Sequence, residues 1–575
     1  MLTFKKNAAA VLVEAARTLY PDVTLSVEEI ARLLEYPPDP AMGDLALPCF
    51  TLAKTLRRSP VQIAQQLAEA CRSSVATGDA LFARVSAVQG YLNFAIHYAP
   101  FARRVMADIE RRGARYGSPE CGHGKTVVLD YSSPNVAKPF HIGHLGTTVI
   151  GHSLKLLHEF AGYRCVGINH LGDWGTQFGK LIVAYKQWGS REAVERGEID
   201  ELVALYVRFH AEAEADPTLN DRARAAFAKL EARDPEHIEL WRWFIDISLR
   251  EYEKTYRQLG ITFDSYNGES FYTDKMPAQI ERLREMGLLE LDDGASVVRL
   301  DQWHMPPCLI LKRDGTTLYP TRDIAAAVYR QQTYHFDKCI YVTSAGQSLH
   351  FAQWFRVLAL MGYDWAERLV HVPYGTVSIN GEKLATRTGN VILLKDLFAM
   401  AIDKVMEITA RKNPALAGRA DIAEAVGVGA VVFHYLSGNR IKDINFVLED
   451  ALSFDGNTGP YAQYTYARTC SILAKAGDAG SFRPVTWTEE ETQLIKVLSV
   501  FPERVEASLA ELEPSLITRY ILDLCTAFNR FYHEHSILNC EDAATRDSRV
   551  ALTAATRTVL GRALGLICLA TPEQI

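Results

Sequence analysis

Hydrophobic and polar positions alternate in three distinct textures along the chain. Up to about residue 118, short apolar runs are separated by polar, Pro- and Gly-punctuated stretches. SVEEIARLLEYPPDPAMGDLALPCF opens with a helical pattern and passes into a loop broken by prolines and Gly43. SPVQIAQQLAEACRS predicts a helix with Pro60 in its first turn, and ALFARVSAVQGYLNFAIHY predicts two strands meeting at Gly90. A small α/β domain over 1–118 fits. From 125 the pattern changes. KTVVLDY is a short apolar, β-branched run that predicts a buried strand, HLGTTVIGHSLKLLHEFAGY has helical spacing up to Gly162, and YRCVGINHLGD predicts the next strand. That is a βαβ unit with a parallel sheet. Residues 190–260 are charged and helical, as an insertion is. SVVRL, PCLILKR and KCIYVTSA, the last followed by the helical SLHFAQWFRVLALMGY, predict a second half of the sheet. The fold class expected over 119–449 is therefore α/β, a doubly wound parallel sheet of Rossmann-like type. Over 450–575 only helical patterns occur, which predicts an all-α bundle.

Composition narrows the class. The chain has 575 residues, 48% hydrophobic and 23% charged, ordinary for a soluble globular protein. No apolar run is read as reaching the ~18 residues that span a bilayer. The N-terminal MLTFKKNAAAVLVEAARTLYPD is interrupted by Glu14 and Arg17, so it reads as an amphipathic helix and not a signal peptide. Ten scattered cysteines without a CxxC pair imply a reduced, cytoplasmic setting with neither disulfide framework nor protein-bound zinc. The net charge is −7, and residues 451–575 carry 11 Lys+Arg against 15 Asp+Glu. Bulk charge thus gives no support for a nucleic-acid partner, although a local basic stripe fits inside such a total.

The candidate chemistry centres on DYSSPNVAKPFHIGHLG (130–146). His141 and His144, three apart, permit a metal pair, but no third ligand stands nearby in a recognisable pattern. They also permit phosphate handling. The loop lies at the carboxyl end of the first strand of an open parallel sheet, and the next helix offers its N-terminus there. Gly143 leaves room for a flat base against the backbone. Taken alone, HxGH is better explained by two ordinary helix histidines. GHGKT (122–126) ends like a phosphate-binding loop, but Pro119 stands where a glycine is needed, and the segment precedes a strand where it has to follow one.

The wider context favours phosphate handling. SSPNVAKPFHIGH is followed in order by NHLGDWGTQFGK (169–180), YNGES (266–270), GTTLYPTRDIAAA (315–327), HFDKCIYVTSAGQSLHFAQWF (335–355) and FDGNTGPYAQYTYAR (454–468). This series resembles the class I aminoacyl-tRNA synthetases, and among them the arginyl-tRNA synthetases, over nearly the whole chain. The resemblance implies ligation of L-arginine to tRNA(Arg) through an arginyl-adenylate, with ATP and Mg²⁺ entering as a substrate complex. It assigns His141 and His144 to the α-phosphate and Gly143 and His350 to ATP. It assigns Asp323, with Tyr319 one turn earlier, and Glu269 to the guanidinium, where a carboxylate meets two parallel N–H groups. Asp130, Asn135 and Gln347 map to the amino-acid pocket. In GEKLATRTGN (381–390), Lys383 holds the first lysine position of the second class I signature, whereas Thr386, followed by Arg387, stands at the second. Lys138, just before the histidines, is the residue expected to supply the missing charge with Lys383 and Arg387. On the tRNA side, Tyr532 of the bundle maps to the anticodon, and Tyr91 and Asn93 of the N-terminal domain to the tRNA elbow. A monomer is the family expectation.

Each residue also has a plainer reading: Asp323 as a partner of Arg322, Lys138 as a solvated lysine, Tyr532 as core, Tyr91 and Asn93 as strand positions. Two other functions compete, a non-catalytic tRNA- or arginine-binding paralogue and another HxGH nucleotidylyltransferase. The intact histidine motif with Lys138, Tyr319 and Asp323 argues against the first. The two additional domains argue against the second.

Overall fold

Local signals set the start of many elements. Ser26 and Ser59 each accept the backbone N–H three residues on, and Glu29 and Gln62 return the bond, so the helices Val27–Leu33 and Pro60–Ala70 begin with complete capping boxes. The computed structural model describes residues 1–72, 82–383, 392–412, 414, 418–477, 482 and 488–575. Strands β1 (Leu45–Pro48), β2 (Phe82–Val88) and β3 (Tyr91–Ile96) form an antiparallel sheet with β3 in the centre. Gln89 and Gly90 both have positive φ, 48° and 86°, the requirement of a two-residue hairpin turn. β1 lies inside the stretch expected to be loop.

Strands β4 (Thr126–Asp130) and β5 (Arg164–Ile168) pair in parallel, joined by the helix Leu145–Phe160. Next come β6 (Glu290–Asp292), β7 (Ala295–Val298) and β8 (Cys308–Leu311), then β9 (Lys338–Ser344) and β10 (Leu369–Tyr374). The central sheet has the order β10-β9-β4-β5, with every pairing parallel. The chain runs one way from β4 to β5 and returns on β4's other side as β9. The carboxyl ends of β4 and β9 are therefore the switch point at which open α/β sheets bind ligands.

One expectation is corrected. SVVRL and PCLILKR do not join the central sheet; β7 and β8 make a separate antiparallel sheet with β6. Short apolar strands carry no signal of which sheet they enter, because partner choice depends on long-range contacts. KCIYVTS does join it as β9, while β10 was missed. A third small sheet holds β11 (Val377–Ile379) between β12 (Glu382–Lys383) and β13 (Ile444–Phe446).

Four long helices, Gly459–Ala476, Glu489–Glu511, Ser515–Glu534 and Ala543–Leu566, form the C-terminal bundle. The bundle meets the N-terminal domain through Lys496–Asp44 at 2.6 Å and Lys5–Glu503 at 2.7 Å. The helix Leu145–Phe160 is buried along most of its length between sheet and bundle, and Ser153 Oγ donates to Leu566 O at 2.7 Å. The helix Ala420–Ser437 is 18 residues long and apolar enough to cross a membrane, against the expectation that no stretch is. It is 67% buried within the protein and serves as a core helix.

Candidate active site

The loop between β4 and the histidine motif is built under strain. Ser132, Ser133 and Ala137 have φ of 71°, 48° and 58°, each costing about 1–3 kcal/mol for a residue with a Cβ. Buried hydrogen bonds hold it. Ser132 N donates to Thr147 Oγ1 at 3.1 Å, Ser133 N to Asn169 Oδ1 at 3.1 Å and Ala137 N to Ser248 Oγ at 3.0 Å. The Tyr252 hydroxyl sits between the carbonyls of Asn135 and Lys138, at 2.8 and 2.7 Å. Ser248 and Tyr252 both belong to the helix Pro235–Gln258, so the inserted helices brace the loop. The side chains of Asn135 and Lys138 are left exposed. Gly172 pairs with Asn135 across a parallel bridge, and a Cβ on it would come within 2.0 Å of Asn135 Oδ1.

His141 caps a short 3₁₀ turn, Ile142–His144, and does not lie within a helix; the α-helix starts at Leu145. Its Nδ1 accepts the Gly143 N–H at 3.1 Å, and His144 Nδ1 accepts the His141 N–H at 3.2 Å. A backbone N–H can only donate, so both Nδ1 atoms carry lone pairs and both protons sit on Nε2. Burial pushes His141 down, helped by Lys138. Burial and the neighbouring His141 push His144 down to about 3. The pair, with ring centroids 3.9 Å apart, is thus two neutral Nε2–H donors, the form suited to bonding phosphate oxygens without a permanent charge.

The helix Tyr319–Tyr334 carries the other half of the site. Tyr319, in its first turn, is 66% exposed. Arg322 Nη1 meets Glu269 Oε2 at 3.0 Å, and Asp323 Oδ2 lies 2.6 Å from His350 Nε2. Asp323 is therefore not the partner of Arg322, and His350, expected at ATP, contacts the carboxylate expected to meet the guanidinium. Burial raises Glu269 to about 7; Arg322 opposes that shift, and Asp173 and Asp323 add to it. Asp173 shapes the Glu269 loop by accepting from Ser270 N at 2.8 Å and Ser270 Oγ at 2.6 Å. Gly268 fits because a Cβ there would meet Asp173 Cγ and Leu171 O, both at 2.6 Å.

Two turns beyond Asp323, the buried Arg330 reaches the end of β4. Its Nη2 is 2.7 Å from Asp130 Oδ2, and Ser133 Oγ donates to Asp130 Oδ1 at 2.8 Å. Arg330 and His170 were missed from sequence, and Arg322 was weighed only as a partner of Asp323, not of Glu269. The signal available was the i, i+7 spacing of Asp323 and Arg330, which puts two charges on one helix face. Gln347 ends the 3₁₀ turn after β9, exposed at the same carboxyl edge.

The backbone of Lys383 pairs with Ser378 in β11–β12, and Arg387 and Thr386 lie outside the described residues. Past them, Ile142 N donates to Ile392 O at 3.3 Å and Leu394 N to Phe140 O at 2.8 Å, so the chain leaving the second signature is bonded to the histidine motif. On the bundle, Tyr532 is 40% exposed and not core. The Arg468 guanidinium lies over its ring at 5.0 Å and over that of Tyr464 at 4.9 Å. Tyr91 is exposed and packs edge-on against Phe50, ring centroids 5.4 Å apart. Asn93 is corrected: it is 2% exposed, although alternation along β3 puts it on the face of the exposed Tyr91, opposite the core residues Leu92 and Phe94; it sits in the middle of the central strand, covered from both sides by β1 and β2.

Known proteins match this architecture. Residues 107–448 fit the family described as tRNA synthetases class I (R), catalytic domain; residues 462–575 fit the DALR anticodon binding domain; residues 4–96 fit the arginyl tRNA synthetase N terminal domain. The arginine–tRNA ligase of Clostridium perfringens is 47% identical over 565 residues, 97% of this chain and 99% of that one. That of Alkaliphilus metalliredigens is 47% identical over 550 residues, 95% and 96% of the two chains. Arginyl-tRNA synthetase of Thermus thermophilus shares the fold at 23% identity, with a TM-score of 0.84 over 99% of this chain and 100% of that one. Likeness of this extent, on a parallel sheet whose switch point carries the strained SSPN loop and the paired histidines, places the chain in the arginyl-tRNA synthetase family.

Proposed function

We propose that this arginine–tRNA ligase joins L-arginine to tRNA(Arg) in two steps at the carboxyl edge of its parallel sheet. An oxygen of the arginine carboxylate attacks the α-phosphorus of ATP. The bond to the bridging oxygen breaks, pyrophosphate leaves and arginyl-adenylate remains. The terminal ribose hydroxyl of the tRNA then attacks the adenylate's carbonyl carbon, and AMP leaves as the ester forms. Chemistry of this kind is accelerated by positioning and by donors aimed at developing charge.

In this reading the Nε2–H groups of His141 and His144 bond the phosphate oxygens, and Gly143 lies against the base. Lys138, Lys383 and Arg387 neutralise the triphosphate, which enters as its magnesium complex. Asp323 and Glu269 take the guanidinium with Tyr319 alongside, while Asp130, Asn135 and Gln347 take the α-ammonium and carboxylate. His350 acts from both sides, on Asp323 and on ATP. The Tyr464–Arg468–Tyr532 stack receives unstacked anticodon bases, whose faces suit aromatic and guanidinium planes. Tyr91 and Phe50 meet the tRNA elbow. The working form is a monomer in the cytoplasm.

The observation that carries the reading is the pair of neutral Nε2–H imidazoles at the switch point, together with the half-buried carboxyl groups of Asp323 and Glu269 on and beside one helix. The test is charging of unfractionated tRNA with each of the twenty amino acids, ATP and magnesium. Charging by arginine alone is expected. Charging by another amino acid overturns the pocket assigned to Asp323 and Glu269. No charging by folded protein favours the non-catalytic paralogue.

A further inference from the structure

Arg330 is an unusual residue for a protein core. It is 0% exposed, and the guanidinium stays charged at any pH the protein meets. It lies over the rings of Tyr341 at 5.4 Å and Tyr272 at 6.0 Å. Nη2 serves two acceptors, Asp130 Oδ2 at 2.7 Å and His170 Nδ1 at 3.3 Å. Nε and Nη1 have no hydrogen-bond partner among the described residues. A buried ion pair made this way repays little of its desolvation, and an apolar side chain of like volume serves stability as well or better. What the pair does supply is position.

The position concerns two groups on neighbouring strand ends. Asp130 closes β4, and His170 follows β5. Asp130 is fixed from both sides, by Arg330 on Oδ2 and by Ser133 on Oδ1, the latter at 2.8 Å. Ser133 Oγ also accepts the His170 N–H at 3.1 Å, so the same two partners hold both residues. Because a guanidinium only donates, its contact with Nδ1 leaves the His170 proton on Nε2. The His170 ring is further clamped by stacking on Tyr272, centroids 5.4 Å apart.

We infer that Arg330 is a positioning residue for amino-acid recognition: from inside the core it sets the Asp130 carboxylate and the Nε2–H tautomer of His170, so that the α-ammonium of arginine meets a fixed acceptor and its carboxylate a fixed donor. The inference rests on the assignment of Asp130 to the amino-acid pocket. It adds His170 as a substrate-facing donor and Arg330 as the residue that orients both. Arg330 itself touches no substrate.

The experiment is steady-state charging by the full-length protein and its Arg330→Lys variant, with KM for arginine and for ATP measured separately. Lysine keeps the charge but lacks the planar group that meets Asp130 and His170 at once. The expected result is an arginine KM raised about tenfold or more, an ATP KM within twofold and an unchanged melting temperature. Nitrogen-15 spectra of the histidines are expected to show His170 as the Nε2–H tautomer in the parent and as a tautomer mixture in the variant. An arginine KM within twofold of the parent, or arginine and ATP KM rising together, overturns the inference. Should Arg330→Lys not fold, Arg330→Gln is measured the same way. Failure of both to fold also overturns it, since the pair is then required by the core itself. A parent protein that charges no arginine in this assay refutes the underlying pocket assignment before any variant is compared.

Discussion

Asp323 Oδ2 lies 2.6 Å from His350 Nε2, which joins the carboxylate expected to read the substrate's side chain to a histidine expected at ATP. The two are 27 residues apart on different helices, Tyr319–Tyr334 and Ser348–Leu360. Asp323→Ala removes one arm of a charge-assisted, two-point contact, an effect of about 3 kcal/mol. The arginine KM is expected to rise by roughly a hundredfold, with the ATP KM held within about threefold. Equal, small changes in both constants refute the assignment.

Glu269 predicts a pH dependence of arginine binding. Its carboxyl, raised to about 7 by burial, is largely neutral at pH 6 and largely ionised at pH 8. The substrate guanidinium stays charged and favours the ionised form, so binding releases a proton below the raised value. The arginine KM is therefore expected to fall about tenfold from pH 6 to 8 and then to level off. The slope is expected to vanish in Glu269→Gln. A parent profile that is flat over this range, or that rises, contradicts the reading.

The tautomers of the paired histidines give a finer test. In His144→Gln the amide nitrogen stands near the position of Nε2; in His144→Asn it stands near Nδ1. In the proposed reading the donor to phosphate is on Nε2, with Nδ1 already used by the His141 N–H at 3.2 Å. The Gln variant is thus expected to keep at least tenfold more adenylate formation than the Asn variant, ~1.4 kcal/mol of transition-state stabilisation. The opposite ranking assigns the catalytic contact to Nδ1.

Lys138 is exposed, and its carbonyl is held by Tyr252 at 2.7 Å, so the backbone is fixed while the side chain is free of the core. Lys138→Met is expected to lower arginine activation by more than tenfold without lowering the melting temperature. A smaller effect returns Lys138 to the role of a solvated loop residue.

Gly268→Ala tests the loop that aims Glu269. The added methyl meets Asp173 Cγ and backbone Leu171 O, both at 2.6 Å, and the carbonyl cannot swing aside as a flexible side chain does. Overpacking of this kind costs about 1–3 kcal/mol. A lower melting temperature together with a raised arginine KM is expected. A stable variant with the parent's KM argues that Glu269 is not held by this contact.

Much of the site was written locally. The helices that follow Ser26 and Ser59, the two strands meeting at Gly90 and the helices of the C-terminal bundle depend on residues within a few positions of one another, and each was legible in the chain. So were the apolar strand leading into SSPNVAKPFHIGH and the turn spacing that puts Tyr319 and Asp323 on one helix face. These are matters of backbone geometry and short-range hydrogen bonding, and periodicity reports them directly.

The tertiary structure decided what depends on distant partners and on loss of water. It moved β7 and β8 out of the central sheet, covered Asn93 between β1 and β2 and left Tyr532 on the surface under Arg468. It set Glu269 near 7 by burying it beside Asp173 and Asp323, and fixed the histidine protons through backbone donors. Above all, it brought Arg330 to Asp130 across 200 residues of chain. A charge written in the sequence has no fixed energy until the fold assigns its neighbours and its solvent, and that assignment separates a surface arginine from one that orients a binding site.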